Sequence, residues 1–162
     1  MQDKSLERFF GYKIRMVQSN SKILIFINTL EAGGAERVVS LLLQHLHADI
    51  EIHLALYTKI IAYQIPADIK ILDLQQPLRQ NKFLRLLNIP IQSYKIYRYC
   101  KAKKIDTSVA FLYRSCMINA LLKVLWRYKG KVVMCERVHQ SAYSQNNQAL
   151  YKLLMKLMVR LV

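Results

Sequence analysis

Apolar residues follow two different periods along the chain. Residues 22–28, KILIFIN, form a continuous apolar run with β-branched side chains, the pattern of a strand buried on both faces. From Gly34 the period changes. Val38, Leu41, Leu42, His45 and Leu46 recur at helical spacing, and Glu36 falls in the first turn, where a negative charge meets the helix dipole favourably. Residues 50–58, IEIHLALYT, and residues 68–74, DIKILDL, predict a second and a third strand, the third entered after Pro66. Across residues 77–104 the helical spacing returns at Leu84 and Leu87 and again at Ile91, Tyr94 and Tyr97, with a break predicted at Pro90. A fourth strand (106–112, DTSVAFL), a helix (116–128) stopped near Gly130 and a fifth strand (131–136, KVVMCE) follow. The final residues, QALYKLLMKLMVRLV, set Leu150, Leu153, Leu154, Leu157, Met158 and Leu161 in one helical stripe and Lys152, Lys156 and Arg160 in another.

Strands alternating with helices predict an α/β fold: a Rossmann-like, doubly wound, mainly parallel sheet flanked by helices. The expected organisation is a leader over residues 1–21 and one domain over 22–162. The last helix reaches the final residue with no capping signal, so the domain is expected to be truncated at that end. No repeat or low-complexity tract interrupts it.

Only four glycines occur in the 162 residues, and two of them, Gly33 and Gly34, stand together where the first strand hands over to the first helix. In doubly wound sheets ligands bind beyond the carboxyl ends of the strands. A pair of residues without side chains at that corner lets an anion approach backbone N–H groups at the positive end of a helix. The pair can also simply turn the chain. Neither G-x-x-x-x-G-K-[ST] nor G-x-G-x-x-G is present, which excludes a P-loop and a dinucleotide fingerprint.

Charge divides the chain in two. Residues 1–73 hold eight acids and eight Lys or Arg, whereas residues 74–162 hold two acids, Asp106 and Glu136, and 17 bases, so the second part carries the whole net charge of +15. Such one-sidedness points to an anionic partner: nucleic acid, phospholipid headgroups or a phosphorylated substrate. Residues 79–104 hold eight Lys or Arg and no acid, interleaved with Phe83, Tyr94, Tyr97 and Tyr99. That mixture suits a surface lying against anionic lipid, although the same aromatics can serve as helix core with lysine stems at its edges. A nucleic-acid binder also fits the charge, but no helix-turn-helix, zinc spacing or RNP-like strand accompanies it. Cys100, Cys116 and Cys135, widely spaced and odd in number, read as reduced thiols of a cytoplasmic protein. No run approaches the roughly 20 apolar residues of a membrane span, and the N-terminus lacks the apolar centre of a secretory signal.

The string ILIFINTLEAGGAERVVSLLLQHL resembles the opening of the retaining glycosyltransferases of the GT-B fold, in the large family 4 branch. The resemblance continues through DTSVAFL, Asn119 in MINALLK, and VVMCERVH, and covers residues 22–162. It implies two Rossmann-like domains facing across a cleft, of which this chain is the N-terminal, acceptor-side one and the C-terminal donor domain is missing. It also implies transfer of a sugar from a nucleoside-diphosphate sugar to an acceptor with retained configuration, with no metal and no cofactor beyond the donor itself.

On that resemblance Gly33 and Gly34 approach the donor's diphosphate. Glu136 and Arg137, at the end of the fifth strand, become the catalytic candidates. Many relatives carry a histidine where Arg137 stands; here His139 comes two residues later and is a base or a bystander. Arg137 faces phosphate or forms a surface ion pair. Arg114 and Asn119 are further cleft candidates, Asn119 being equally able to cap or face solvent. The implied acceptor is a lipid-linked or cell-surface polysaccharide precursor at the inner face of the plasma membrane, with residues 79–104 on the anionic leaflet and no nucleic acid. A separate chain carrying the donor domain, a non-catalytic partner-binding subunit and a truncated remnant all remain open.

Overall fold

The computed structural model describes residues 21–46, 50–76 and 82–135. Among them the elements run β1 (Lys22–Ile27), α1 (Gly34–Leu46), β2 (Glu51–Leu56), β3 (Lys70–Asp73), α2 (Lys82–Lys103), β4 (Thr107–Phe111), α3 (Tyr113–Val124) and β5 (Lys131–Cys135). The five strands make one parallel sheet in the order β3-β2-β1-β4-β5. This is the α/β architecture that the alternation of periods predicts. The leader and the C-terminal helix expected over residues 148–162 lie outside the described residues.

β1 explains why helices cover both faces. Successive side chains of a strand point to opposite sides. Leu24 and Phe26 enter a core with Ile96, Cys100, Ile118 and Leu122, contributed by α2 and α3. Ile25 and Ile27 enter the opposite core with Val39 and Leu43 of α1. Leu24, Phe26 and Ile27 are wholly buried. Burying each such side chain contributes about 1.5–3 kcal/mol, which only a helix layer on each side can supply.

Pro90 does not break its helix, contrary to the expected interruption: α2 runs through it from Lys82 to Lys103. Proline removes one backbone donor, but Ile89, Gln92, Ser93 and Ile96 on both sides of it are buried, so packing holds the helix together. Gly130 does not stop α3 either. The helix ends at Val124, and the left-handed turn after it is taken by Arg127, at φ 49°. Gly130 is needed because a Cβ there would lie 2.3 Å from the Tyr128 hydroxyl and 2.6 Å from the Asp106 carbonyl. Cys100 and Cys116 are buried and Cys135 partly so, all three as free thiols. Burial pushes the Cys100 thiol up to about 12, so it is an inert core filler. Among the described residues no helix is long and apolar enough to cross a membrane.

The amino edge of the sheet is tied by one carboxylate. Glu51 opens β2 and accepts from Lys70 Nζ of β3 at 2.6 Å and from Lys22 Nζ of β1 at 2.9 Å. His53 is wholly buried beneath it. Its Nε2 lies 3.0 Å from Glu51 Oε1 and its Nδ1 2.8 Å from the Tyr99 hydroxyl of α2. Burial lowers the His53 pKa, so the ring is neutral at pH 7. A carboxylate only accepts, so Nε2–H donates to Glu51 and Nδ1 accepts from Tyr99.

Hydrogen bonds from Lys70, then Lys22, then His53 hold the Glu51 carboxyl at about 2, against its ordinary 4.5. A depressed carboxylate contributes stability that is present above its unfolded value and lost as pH falls through the folded one. Stability therefore declines on acidification between about pH 4.5 and 2 as Glu51 protonates. It declines earlier below about 6.5, where the unfolded chain takes up the histidine proton that the folded one refuses. Glu51→Gln is expected to cost about 1 kcal/mol at pH 7 and to flatten the lower stretch of the pH–stability curve, measured by urea unfolding. An unchanged acid limb would show that the edge is held by something else.

Candidate functional site

The strand order creates one place where neighbouring connections diverge. From β1 the chain moves outward to β2 and β3, then returns through α2 to place β4 on the other side of β1. The carboxyl ends of β1 and β4 therefore flank the switch point, where open α/β sheets leave a crevice. Asn28 follows β1 directly, and residues 112–115 follow β4 directly.

At the first corner the two glycines have different reasons. Neither has a positive φ, so neither is required for a left-handed backbone conformation. A Cβ on Gly33 would lie 2.2 Å from Glu36 Oε2 and 3.2 Å from Oε1. Gly33 precedes α1 and Glu36 is its third residue, the place from which a glutamate reaches back to the start of a helix. Gly33 thus leaves room for that carboxylate. Its carbonyl takes the first helical hydrogen bond, from Arg37 N–H at 2.9 Å, and a second from the Tyr63 hydroxyl at 3.2 Å. Gly34 is different: it is exposed, and a Cβ there would meet nothing within 4 Å. The amides before the Arg37 bond are those a helix leaves without intrahelical partners, and at Gly34 no side chain screens them.

At the second corner Leu112 holds φ 67° and ψ 151°, a conformation close to one that is nearly confined to glycine. Its N–H reaches the Cys135 carbonyl at 3.3 Å, and its own carbonyl accepts from Cys116 N–H at 3.0 Å. This sharp turn brings Arg114 and Ser115 round at the start of α3. Ser115 Oγ donates to Asn28 Oδ1 at 3.0 Å, closing the gap between the β1 and β4 connections and fixing the orientation of the amide. Arg114 Nη2 donates to the Tyr57 hydroxyl, and its guanidinium lies 3.9 Å over the Tyr57 ring, a cation–π contact. Tyr57 follows β2 and is 4% exposed, so it is a fixed platform for a partly exposed cation.

Of the predicted site residues, Gly33, Gly34 and Arg114 all lie on carboxyl-side connections. Asn119 does not line the cleft, cap its helix or face solvent. Its side chain is wholly buried, accepting from Ser108 Oγ at 2.6 Å and donating to the Ser108 and Val133 carbonyls at 3.1 and 3.2 Å. It clamps α3 to β4 and β5, and these bonds occupy its carbonyl oxygen and both amide hydrogens. Glu136, Arg137 and His139 lie outside the described residues. Sequence reasoning missed Tyr57, Asn28 and Ser115. Asn28 stood at the end of an obvious strand and could have been found by position. Tyr57 was hidden inside an apolar pattern. Among the described residues no three His, Cys, Asp or Glu side chains gather as metal ligands would.

No protein-family model matches the chain. It is 38% identical, over 128 residues, to N-acetylgalactosamine-N,N'-diacetylbacillosaminyl-diphospho-undecaprenol 4-alpha-N-acetylgalactosaminyltransferase of Campylobacter jejuni. That match covers 78% of this chain and 34% of the relative, so the chain spans about a third of the enzyme it matches. Its fold is found in the lipopolysaccharide outer core galactosyltransferase WaaB (TM-score 0.54, 14% identity, 80% of this chain and 37% of that one). It is found again in the sucrose-phosphate synthase of Thermosynechococcus elongatus (TM-score 0.58, 11% identity, 85% and 40%). The class is thus a Rossmann-like α/β unit of the GT-B kind. By sequence, the chain is a homologue of a family 4-type glycosyltransferase.

Two substitutions separate structure from chemistry at these corners. Asn119→Ala leaves the Ser108 hydroxyl unpaired in the core and removes the tie to the Val133 carbonyl at its edge, and is expected to cost about 2–3 kcal/mol. That would appear as a lower urea midpoint with an unchanged slope. Gly33→Ala has only to push aside the flexible end of Glu36, and is expected to cost about 0.5–1 kcal/mol in the same assay. A reversed order would show that the clamp and the glycine have been misread.

Proposed function

We propose that this chain is the acceptor-side unit of a retaining glycosyltransferase, one that moves a sugar from a nucleoside-diphosphate sugar to a lipid-linked saccharide. The observation that carries the reading is the open start of α1 at Gly34, which lies at the carboxyl edge of the sheet as Arg114 does, one in each helix layer. A pyrophosphate carries concentrated negative charge, and the amides of a helix start together with a positioned guanidinium are what meets such charge, once the flexible Glu36 carboxylate beside Gly33 has swung away.

In the reaction the bond between the anomeric carbon and the donor's phosphate oxygen breaks. A bond to the acceptor oxygen forms on the same face, and the acceptor hydroxyl's proton passes to the departing phosphate oxygen. Negative charge grows on the leaving diphosphate. The Gly33–Gly34 amides stabilise it where it grows, and fixed dipoles need no reorganisation at that moment. Glu136 and Arg137, next in sequence after β5, are the residues we assign to orienting the acceptor, with His139 beside them in the sequence.

Recognition of the donor's base and ribose belongs to a second Rossmann-like domain, on the same polypeptide or on a partner chain. The homologue's own name specifies an acceptor on diphospho-undecaprenol, which supports a lipid-linked acceptor here. Such an acceptor lies at a membrane surface. The basic, aromatic segment 79–104 supports a peripheral position on the anionic inner leaflet, in the cytoplasm.

Calorimetric titration of the chain with a polyprenyl-diphosphate-linked saccharide in detergent is expected to show saturable binding, and free uridine or guanosine none. Arg114→Ala is expected to weaken binding of inorganic pyrophosphate, titrated in the same way, by about tenfold, the loss of one charge-assisted contact. Tight binding of a free nucleoside with none of the acceptor would place the chain on the donor side.

A further inference from the structure

On the far side of the sheet from α1, helices α2 and α3 leave an exposed ridge that the proposed chemistry does not use. Ile91 is 55% exposed, Tyr94 43% and Leu125 49%. The single tryptophan stands next to Leu125 in sequence and against two rings of α2: its centroid lies 4.8 Å from that of Tyr94 and 6.1 Å from that of Tyr97. Lys95 and Arg98 lie four residues beyond Ile91 and Tyr94 respectively, so the four share one face of α2, and all are exposed. Between residues 74 and 135 the sequence holds one acid, Asp106. That acid is engaged with the Lys22 backbone N–H at the amino edge of the sheet, at 2.9 Å.

We infer that the ridge of Ile91, Tyr94, Leu125 and Trp126, with Lys95 and Arg98 on its flank, is the surface by which this protein lies on an anionic lipid bilayer. The inference rests on the membrane part of the proposed function and assigns it to a face that includes the end of α3, outside the basic segment. Charge complementarity selects the occupant: cations without acids attract an anionic leaflet. Aromatic rings with a polar tip settle at the level of the headgroups, and aliphatic side chains between them dip below it. The indole Nε1–H of Trp126 has no acceptor among the described residues. A headgroup acceptor satisfies it once the ring turns outward, so docking removes a polar group that the free protein leaves unpaired. Nucleic acid would meet the same cations but has no use for exposed Ile91 and Leu125 beside them.

Because Trp126 is the only tryptophan, its fluorescence reports on this ridge and nowhere else. Vesicles of phosphatidylglycerol and of phosphatidylcholine are titrated into the full chain, with emission and co-sedimentation read together. The expected result is a blue shift with the anionic vesicles alone, quenching by lipids brominated in the acyl chain, and reversal by high salt. Ile91→Glu/Leu125→Glu and Lys95→Glu/Arg98→Glu are each expected to lower the partition coefficient by tenfold or more with an unchanged circular dichroism spectrum. Lys59→Glu, on another exposed segment, should leave it unaltered. Co-sedimentation without any change at Trp126, or with both double variants binding normally, overturns the ridge while leaving membrane association intact. Absence of vesicle binding, or binding of a duplex or single strand in its place, overturns both.

Discussion

One strand with two apolar faces sets the rest of the structure. β1 can bury Leu24 and Phe26 on one side and Ile25 and Ile27 on the other only if helices cover both sides of the sheet. In this chain that is done by moving outward to β2 and β3 and then returning across the sheet to β4, so the two connections leaving β1 and β4 face each other. The carboxyl ends of β1 and β4, where doubly wound sheets bind their ligands, are neighbours because of that double burial. Both corners that border it, at Gly33–Gly34 and at Leu112, are where the backbone must pass abruptly from strand to helix. The conformation of Leu112 carries a local strain of about 1–3 kcal/mol, held in place by the surrounding packing.

Polar residues in this fold divide by what they are bonded to. Asn119 and His53 are wholly buried and committed to the sheet, so they hold elements together. Glu51 ties the amino ends of three strands at the edge opposite the crevice. Arg114 is held in place by the aromatic ring and hydroxyl of Tyr57 while its helix start remains partly exposed, which suits a group that meets a ligand. A carboxylate network lies at one edge, and an exposed helix start with a positioned arginine lies at the other, which is the edge the proposed sugar transfer uses.

Much of this was legible in the sequence, for physical reasons. Continuous apolar runs mark strands buried on both faces, and the change of period at Gly34 marks the first helix, because burial dictates both patterns. Pro90 misled because a helix tolerates one missing donor when buried residues flank it. Gly130 misled because its need is spatial, a close approach of Tyr128 and Asp106, and not a helix stop. Asn119 misled because the sequence shows a polar residue on a helix but not the carbonyls of β4 and β5 facing it. Tyr57 was invisible as a site residue, since a strand-end aromatic is read as core until a cation is seen stacked on it. Glu136, Arg137 and His139 lie outside the described residues, so the chemistry assigned to them rests on sequence resemblance.

In the proposed reaction the exposed start of α1 at Gly34 receives pyrophosphate charge. The most direct measurement is a titration of inorganic pyrophosphate into the 15N-labelled chain, followed by amide chemical shifts. The account predicts saturable shifts concentrated at Gly33, Gly34 and Ala35, with smaller ones at 113–115 across the crevice, all abolished by Gly34→Val. Shifts spread instead over the exposed lysines, or a Gly34→Val chain that responds like the parent, would contradict it.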